Sequence, residues 1–321
     1  MDRIYKKIDL SIIIPVYNGE TTIERCLNTL IIDSDISQEI IIVNDNSTDN
    51  SIGKLNDYTK KFPNITTINN KQNLGAGLCR NIGLQKASGD YVGFVDCDDW
   101  VDCNLFVTAI EKIRLTKSDI VVFGVRNEYE NSYSSKPRYS YSNQITFTTN
   151  VALDLLTHGI SNNEYISPMV CQKVYKLDFL RKNNLLFTSN RHFEDDVFTF
   201  FCFIQKGVVS FIPNVEYHYY QSPHSVSHKI SKEYVLDFIS AFSYIRKQLE
   251  EHNRFTNLKK VYFSYLDKSL ASFINNVVSE EPNIAEQKKY LSLLFSSMKT
   301  FVSLEEILEY LDLSRIIRLW Y

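Results

Sequence analysis

An alternation of strand-like and helix-like segments over the first 125 residues is the feature that most restricts the fold of this chain. Short β-branched runs alternate with segments whose apolar residues recur at helical spacing. This alternation is typical of a mostly parallel sheet that is covered by helices and connected by right-handed crossovers. The predicted strands are residues 11–16, 39–43, 65–68, 91–95 and 120–125, and the predicted helices are residues 23–31, 51–60, 75–87 and 104–115.

Polar motifs follow three of these strands at the point where each strand ends. The first strand runs into PVYNG at residues 15–19, the second into NDNSTD at residues 44–49, and the fourth into DCDD at residues 96–99. A fourth motif, NLGAGLCRNIG at residues 73–83, lies between the last two. Because open α/β sheets bind their ligands at the carboxyl ends of the strands, we expect the four motifs to form one pocket.

The acids of residues 96–99 are the strongest single indication of chemistry in the chain. Three carboxylates within four residues repel one another, which costs stability unless a positive group is bound between them. A divalent cation that carries a phosphate would satisfy them, because hard cations prefer oxygen ligands. The alternative, from these residues alone, is an acidic turn that only caps the next helix.

The side chains of the four motifs are suited to a nucleotide. Tyr17 offers a flat ring for a base, and Asp45 can accept a hydrogen bond from a pyrimidine imide N–H. Arg80 can pair with Asp45 or with a phosphate. Gly75 and Gly77 permit a close approach of the backbone to the nucleotide, whereas the absence of a following Lys-Ser/Thr pair excludes a P-loop.

Composition excludes several other classes of protein. The chain has 321 residues and a formal net charge of −3, so we expect no nucleic-acid partner. Six cysteines without a CxxC pair favour reduced thiols and a cytoplasmic location. The apolar run at residues 10–16 is too short for a signal peptide, and no run approaches the ~20 apolar residues of a membrane span.

In this order, the four motifs resemble those of the family 2 glycosyltransferases, which have the GT-A nucleotide-sugar fold. The resemblance covers about residues 10–227. It implies an inverting, metal-dependent enzyme that transfers a sugar from a nucleoside diphosphate sugar, a UDP-sugar first of all, to a hydroxyl of a glycan or lipid-linked glycan acceptor. It further implies Mn²⁺ or Mg²⁺ as cofactor and a role in bacterial surface-polysaccharide or glycoconjugate assembly.

The resemblance also assigns roles to individual residues. Asp96 would reach the ribose side of the metal site, and Asp98 would bind the metal itself. His224 is a further candidate metal ligand, and His218 is a second candidate for a metal or diphosphate contact. The residues assigned to donor binding are Pro15, Tyr17, Asn18, Asp45, Gly77, Arg80 and Asp96.

A second group of acids, in FEDDVF at residues 193–198, resembles the family's base motif. The match makes Asp195 the candidate general base, which removes the proton of the acceptor hydroxyl on the face opposite the nucleoside diphosphate. Its neighbours Glu194 and Asp196 are expected to raise its pKa. The alternative is that the three acids only add charge to a helix N-terminus, and for Asp196 this interpretation is favoured.

The second half of the chain carries weaker patterns. Residues 127–143 are rich in Ser, Tyr and Asn and predict a long surface loop that shapes acceptor binding. Residues 145–158 and 167–183 are expected to be helical or mixed, and residues 207–213 to form a strand.

Long amphipathic helices are predicted from about residue 231 onward. We therefore divide the chain into a GT-A domain, residues 1–230, and a helical C-terminal domain, residues 231–321. The apolar stripes of these helices indicate core packing or a homodimer contact. The basic and aromatic end at residues 315–321 fits either an anionic membrane surface on the cytoplasmic side or packing on its own domain.

Two other functions are compatible with parts of the sequence. A sugar nucleotidyltransferase also uses an α/β fold and acids with a metal, but its basic, glycine-rich N-terminal loop is missing from IPVYN at residues 14–18. A nucleotide-sugar-binding protein without catalysis is the non-enzymatic alternative. The intact acids at residues 96–99 and 194–195 argue against it.

Overall fold

Strands and helices alternate in the first half of the structure as the sequence predicts. The computed structural model describes residues 7–129, 136–139, 146–157, 166–221 and 230–312. The strands of the first half are β1 (Leu10–Val16), β2 (Gln38–Asn44), β3 (Ile65–Asn69), β4 (Tyr91–Phe94), β5 (Trp100–Val101) and β6 (Ile120–Tyr129). The helices between them are α1 (Ile23–Leu30), α2 (Ser51–Lys61), α3 (Ala76–Lys86) and α4 (Leu105–Thr116).

Short elements follow, and four helices then close the described part of the chain. The strands are β7 (Lys136–Tyr139), β8 (Thr146–Thr148), β9 (Lys173–Lys176) and β10 (Val208–Gln221). The helices among them are α5 (Thr149–Thr157), α6 (Leu177–Lys182) and α7 (Glu194–Phe203), with a 3-10 turn at Val170–Gln172. The C-terminal helices are α8 (Lys232–Glu251), α9 (Phe255–Glu280), α10 (Ile284–Met298) and α11 (Leu304–Tyr310).

One mostly parallel sheet joins the strands. Within the described residues it has ten strands in the order β3-β2-β1-β4-β9-β6-β10-β5, with β7 beside β6 and β8 beside β10. Strands β1 to β4 are parallel to one another, and β6 is parallel to β10. Strand β9 lies between β4 and β6 and is antiparallel to both.

Burial on both faces explains why the first strands are continuous apolar runs. All seven residues of β1 are buried, as are the last five of β2. In a parallel sheet the crossover helices cover both faces, so neither face needs polar residues. The register pairs Val16 with Asn44 and Ile13 with Phe94. The loops after β1, β2 and β4 therefore leave the sheet at one edge.

The structure adds to three predictions for the middle of the chain. The predicted loop at 127–143 is partly strand: β6 continues to Tyr129, and β7 pairs with it in antiparallel orientation. The mixed segment at 167–183 contains β9, whose four residues are too few to show a periodic pattern. The strand predicted at 207–213 continues to Gln221. The rest of the predicted loop lies outside the described residues.

The C-terminal helices pack on the sheet domain and share its core. One cluster of buried apolar side chains extends from Ile13 and Phe94 in the sheet to Phe238, Phe273 and further residues of the C-terminal helices. Each fully buried side chain of this size contributes roughly 1.5–3 kcal/mol. The boundary at residue 230 stays a prediction, although the apolar core is continuous across it. Among the described residues, no helix has the length and apolar character to cross a membrane.

Candidate functional site

The loop after β1 is held against the loop after β2. Asn18 has a left-handed backbone conformation with φ of 52°, which asparagine tolerates better than most residues. Its backbone N–H donates to Ser47 Oγ at 3.0 Å, and its Oδ1 accepts from the N–H of Thr48 at 2.8 Å. Pro15 is buried under this loop, whereas Tyr17 is 50% exposed. The Tyr17 ring is thus accessible to a ligand.

Asp45 directly follows β2, and its carboxylate is oriented by three hydrogen bonds from N–H groups. Its Oδ1 accepts from the N–H of Leu74 at 2.8 Å and from Nδ2 of Asn70 at 2.8 Å. Its Oδ2 accepts from the N–H of Gly75 at 2.7 Å. Gly75 has φ of 90°, a conformation that favours glycine and that turns its N–H to the carboxylate. The Asp45 carboxylate is therefore oriented before any ligand binds.

Arg80 joins the two groups of acids that the sequence singles out. Its side chain on α3 is buried, and its Nη2 donates to Asp96 Oδ1 at 2.8 Å. Its Nη1 donates to Glu194 Oε1 at 2.9 Å and to Asp195 Oδ1 at 3.1 Å. Among the described residues its ion pairs are with these three acids, so the predicted pair with Asp45 is not formed.

The first acidic motif, residues 96–99, is divided between the pocket and the core. Asp96 keeps 30% of its side chain exposed beside Arg80. Burial and the charge of Asp96 raise the pKa of the Asp98 carboxyl to about 6. Asp99 is fully buried, where its Oδ2 accepts from the hydroxyl of Tyr217 at 2.6 Å and its Oδ1 from the N–H of Tyr220 at 2.8 Å. Asp99 therefore anchors the motif to β10.

The second acidic motif, residues 194–196, opens α7 and is divided in a similar way. Glu194 faces Arg80 with only 11% of its side chain exposed, against 24% for Asp195. Asp195 Oδ2 also accepts from the N–H of Val170 at 3.1 Å. Asp196 turns to the C-terminal helices, where its Oδ1 accepts from the hydroxyl of Tyr265 at 2.8 Å. Of the two acids of this motif that pair with Arg80, Asp195 is thus the more accessible.

The pKa of Asp195 is raised, as predicted, but for a different reason. Burial is the main cause and the charge of Asp96 adds to it, while Arg80 opposes both. Burial and the charge of Asp195 likewise raise the pKa of Glu194, to about 8. Asp195 and Glu194 therefore oppose each other's ionisation, and Asp96 adds to this effect on Asp195 from another strand end.

The remaining predicted site residues have mixed outcomes. A Cβ atom at Gly77 would lie 2.8 Å from the carbonyl oxygen of Thr188 and 3.1 Å from Cγ of Glu194, so the close approach at Gly77 is to the chain itself. The two ring nitrogens of His218 pair with Glu128 at 2.8 Å and Asp102 at 3.0 Å. Both ring nitrogens of His218 thus have carboxylate partners, and the metal or diphosphate contact suggested for it stays a prediction.

His224 lies outside the described residues. Within them, no group of three or more His, Cys, Asp or Glu side chains is arranged to hold a metal ion. Asp96 and Asp98 are the two acids of the first motif that are not fully buried, and their predicted role as metal ligands stays a prediction.

Two contributors to the site were missed by reasoning from the sequence. Tyr217, which donates to Asp99 and accepts from the N–H of Asp96 at 3.0 Å, comes from a strand more than a hundred residues later. Asn70 reaches Asp45 from the end of β3. The only available signal for Asn70 was its position at a strand end, and for Tyr217 there was none.

The fold is GT-A-like, with three polar loops at one edge of a mostly parallel sheet and two groups of acids joined by one buried arginine. Residues 11–168 match the sequence profile of the family described as Glycosyl transferase family 2. The chain belongs to this family and is a glycosyltransferase.

Individual relatives agree with this assignment. The chain is 28% identical over 295 residues to the uncharacterized glycosyltransferase YibD of Escherichia coli K12, covering 90% of this chain and 84% of that protein. It is 31% identical over 219 residues to the uncharacterized glycosyltransferase EpsJ of Bacillus subtilis 168, covering 68% and 62%. The crystal structure of S. aureus TarS 1-349 in complex with UDP-GlcNAc has a TM-score of 0.70 at 21% identity, covering 92% of this chain and 82% of that one.

Proposed function

We propose that this protein is an inverting, metal-dependent glycosyltransferase that moves a sugar from a UDP-sugar to a hydroxyl of a glycan or lipid-linked glycan acceptor. The observation that carries the proposal is the double role of Arg80. One buried guanidinium binds Asp96 of the first acidic motif at 2.8 Å and Asp195 of the second at 3.1 Å. The motif to which we assign diphosphate binding and the acid to which we assign the role of base thus both contact one side chain, which supports transfer of a sugar between them.

Recognition of uridine is supported by the β1 and β2 loops. The Asp45 carboxylate, the group assigned to an imide N–H of the base, is held in one orientation by three N–H donors of the chain. Tyr17 is exposed enough for a base to stack on it. The structurally similar TarS was crystallised with UDP-GlcNAc, which favours a uridine donor here as well.

The residues present fit a Mg²⁺ or Mn²⁺ ion. Such ions are commonly held by one or two carboxylates together with substrate phosphates, and Asp96 and Asp98 offer such a pair. Burial and the charge of Asp96 raise the pKa of Asp98, and a cation between the two carboxylates would oppose that rise. When bound, the ion would stabilise the negative charge of the leaving diphosphate. Arg80, already shared by three acids, holds Asp96 in place for it.

Asp195 is the residue suited to activate the acceptor. It is more exposed than Glu194, and its raised pKa makes it a stronger base than an ordinary aspartate. Removal of the hydroxyl proton lets the oxygen attack the anomeric carbon from the face opposite the diphosphate. A single displacement of this kind inverts the configuration at that carbon.

Thermal unfolding in the presence of nucleotides tests the donor and the metal together. UDP, GDP, dTDP and CMP are each added with Mn²⁺ and again with EDTA. A ligand at ~100 times its Kd stabilises by ~2.7 kcal/mol, which corresponds to roughly 5 °C for a chain of this size. We expect a shift with UDP that disappears in EDTA; an equal shift in EDTA overturns the metal dependence, and no shift with any nucleotide overturns the donor.

A pair of variants assigns the metal effect to the first acidic motif. Asp98→Asn should lose the Mn²⁺-dependent part of the UDP shift, whereas Asp57→Asn, at a surface position with 80% of its side chain exposed, should keep it. Inversion is tested separately by NMR of the anomeric configuration of the product. A product with the donor's configuration contradicts the proposed role of Asp195.

A further inference from the structure

The short stretch before α7, residues 190–193, contacts the C-terminal helices on one side. We call it the bridge segment. Asp237 on α8 accepts three hydrogen bonds from it at Oδ2: from the N–H groups of Arg191 and His192 at 3.2 Å each, and from His192 Nδ1 at 2.8 Å. Nδ2 of Asn190 also donates to the carbonyl oxygen of Asp237 at 3.0 Å. One residue of α8 thus fixes the whole start of the segment.

The bridge segment also holds the loop that orients Asp45. The guanidinium of Arg191 donates to Oδ1 of Asn73 at 2.6 Å and to its carbonyl oxygen at 3.3 Å. Asn73 Nδ2 donates to the carbonyl oxygen of Asp45 at 3.3 Å, and the N–H groups of the next two residues bind the Asp45 carboxylate. Arg191 is therefore one hydrogen-bonded residue away from the group assigned to the nucleoside.

At its other end the bridge segment leads into the second acidic motif. Phe193 has φ of 63°, a left-handed conformation that a bulky residue adopts only when its surroundings impose it. Its ring packs against Tyr234, Phe238 and Phe273 of the C-terminal helices, with centroids 5.0 to 6.2 Å away. Two residues later comes Asp195. The direction in which α7 begins thus depends on the same helices.

We propose that Asp237 is a positioning residue for both halves of the reaction, holding the nucleoside loop through Arg191 and the base through the bridge segment. The proposal rests on the proposed roles of Asp45 and Asp195. It gives the C-terminal helices a defined function, because the side chain that ties the two loops together comes from α8 and not from the GT-A domain. The Asp237 side chain is 23% exposed and His192 15%, so the contact is largely shielded from water.

Binding and turnover of a set of variants test this link. Arg191→Ala removes only the hydrogen bonds to Asn73 in the loop that orients Asp45. We therefore expect UDP to bind about 5–10-fold more weakly while kcat changes less than about twofold. Asp237→Ala removes the hydrogen bonds that hold the bridge segment, and with them the support of both the Asp45 loop and Asp195. UDP binding should weaken by a similar factor, and kcat should fall about tenfold or more. Asp237→Asn keeps an acceptor for the two backbone N–H groups and should restore most of kcat.

The double variant separates a link from two independent effects. If Asp237 acts on UDP binding through Arg191, the Asp237→Ala change adds nothing to the Kd of the Arg191→Ala protein. Multiplication of the two Kd effects would overturn the proposal. Glu251→Gln is the control, because Glu251 lies on the same helix in an exposed ion pair with Lys247 at 3.7 Å. Its Kd and kcat should match the wild type.

Amide hydrogen exchange of the ligand-free proteins tests the link without any substrate. In Asp237→Ala we expect faster exchange at residues 191–197 and also at residues 74 and 75, whose N–H groups bind Asp45. Unchanged exchange at residues 74 and 75 would overturn the proposal. If the wild type fails to bind UDP, the proposed function is wrong, and the exchange data still decide whether the two loops are linked.

Discussion

The two acidic motifs of the site are each divided between a structural acid and acids that face the pocket. In the first motif the structural acid is Asp99, which accepts the hydroxyl hydrogen bond of Tyr217. In the second it is Asp196, which accepts that of Tyr265. Each of these acids accepts a hydrogen bond from a tyrosine of another element, so it holds its motif in place.

The acids that face the pocket pair with one arginine side chain instead. Asp96 in the first motif, and Glu194 and Asp195 in the second, all pair with the Arg80 guanidinium. One guanidinium compensates these three carboxyl groups only in part, which suits both a metal site and a base. A run of acids in sequence is therefore not one functional unit, because the partner of each carboxylate decides its role.

The largest expected effect separates the two acids at the start of α7. Asp195→Asn removes the base while keeping an acceptor for the N–H of Val170, so kcat should fall about 10²–10⁴-fold with little change in UDP affinity. Asp196→Asn should leave kcat within about threefold of the wild type. Steady-state transfer assays measure both, and equal losses in the two variants would break the division between them.

Removal of the Arg80 side chain should have the next largest effect, on the free energy of unfolding. Arg80→Ala leaves three carboxylates around an empty position, and breaking a buried ion pair in this way costs about 3–5 kcal/mol. Urea unfolding should show this loss. Lys7→Ala is the control, because its ion pair with Asp90 at 2.6 Å is exposed to solvent and its loss should leave the free energy of unfolding nearly unchanged. Equal losses would mean that Arg80 does not compensate the acids.

Removal of the tyrosine hydroxyls distinguishes the two anchors. Tyr217→Phe and Tyr265→Phe each remove a hydrogen bond to a carboxylate and should each cost about 1.5–3 kcal/mol in the free energy of unfolding. Only Tyr217→Phe should also weaken UDP binding in Mn²⁺, because the N–H of Asp96 loses its acceptor as well. Calorimetry decides this, and weaker binding in Tyr265→Phe would contradict the division.

The smallest effect is a pH dependence that belongs to Asp196. Burial raises its pKa from 3.8 to about 7. Between these values the unfolded chain loses the proton while the folded chain keeps it, so the wild type loses stability as pH rises through this window. Asp196→Asn cannot lose a proton there and should gain more than about 1 kcal/mol relative to the wild type between pH 5 and pH 8. If the urea midpoints of the wild type and of Asp196→Asn change in parallel with pH, the pKa of Asp196 in the folded protein is ordinary.

Much of the first half of the fold could be predicted from the sequence. Periodic patterns located β1 to β4, β6 and the helices between them, because long segments with one or two buried faces carry their period in the order of residues. Strand β9 was missed since four residues are too short for a pattern. The acids at residues 96–99 and 194–196 were found because like charges are rarely placed together without a reason.

The sequence by itself determined that a parallel sheet would bring three polar loops to one edge and that two acidic motifs would be present. Only the tertiary structure decided that Arg80 joins those motifs, that Tyr217 and Tyr265 hold their last acids, and that Gly77 makes room for the chain itself. The physical reason is range. Periodicity and turn chemistry act between neighbours along the chain, whereas a buried charge takes its partner from wherever packing has placed one.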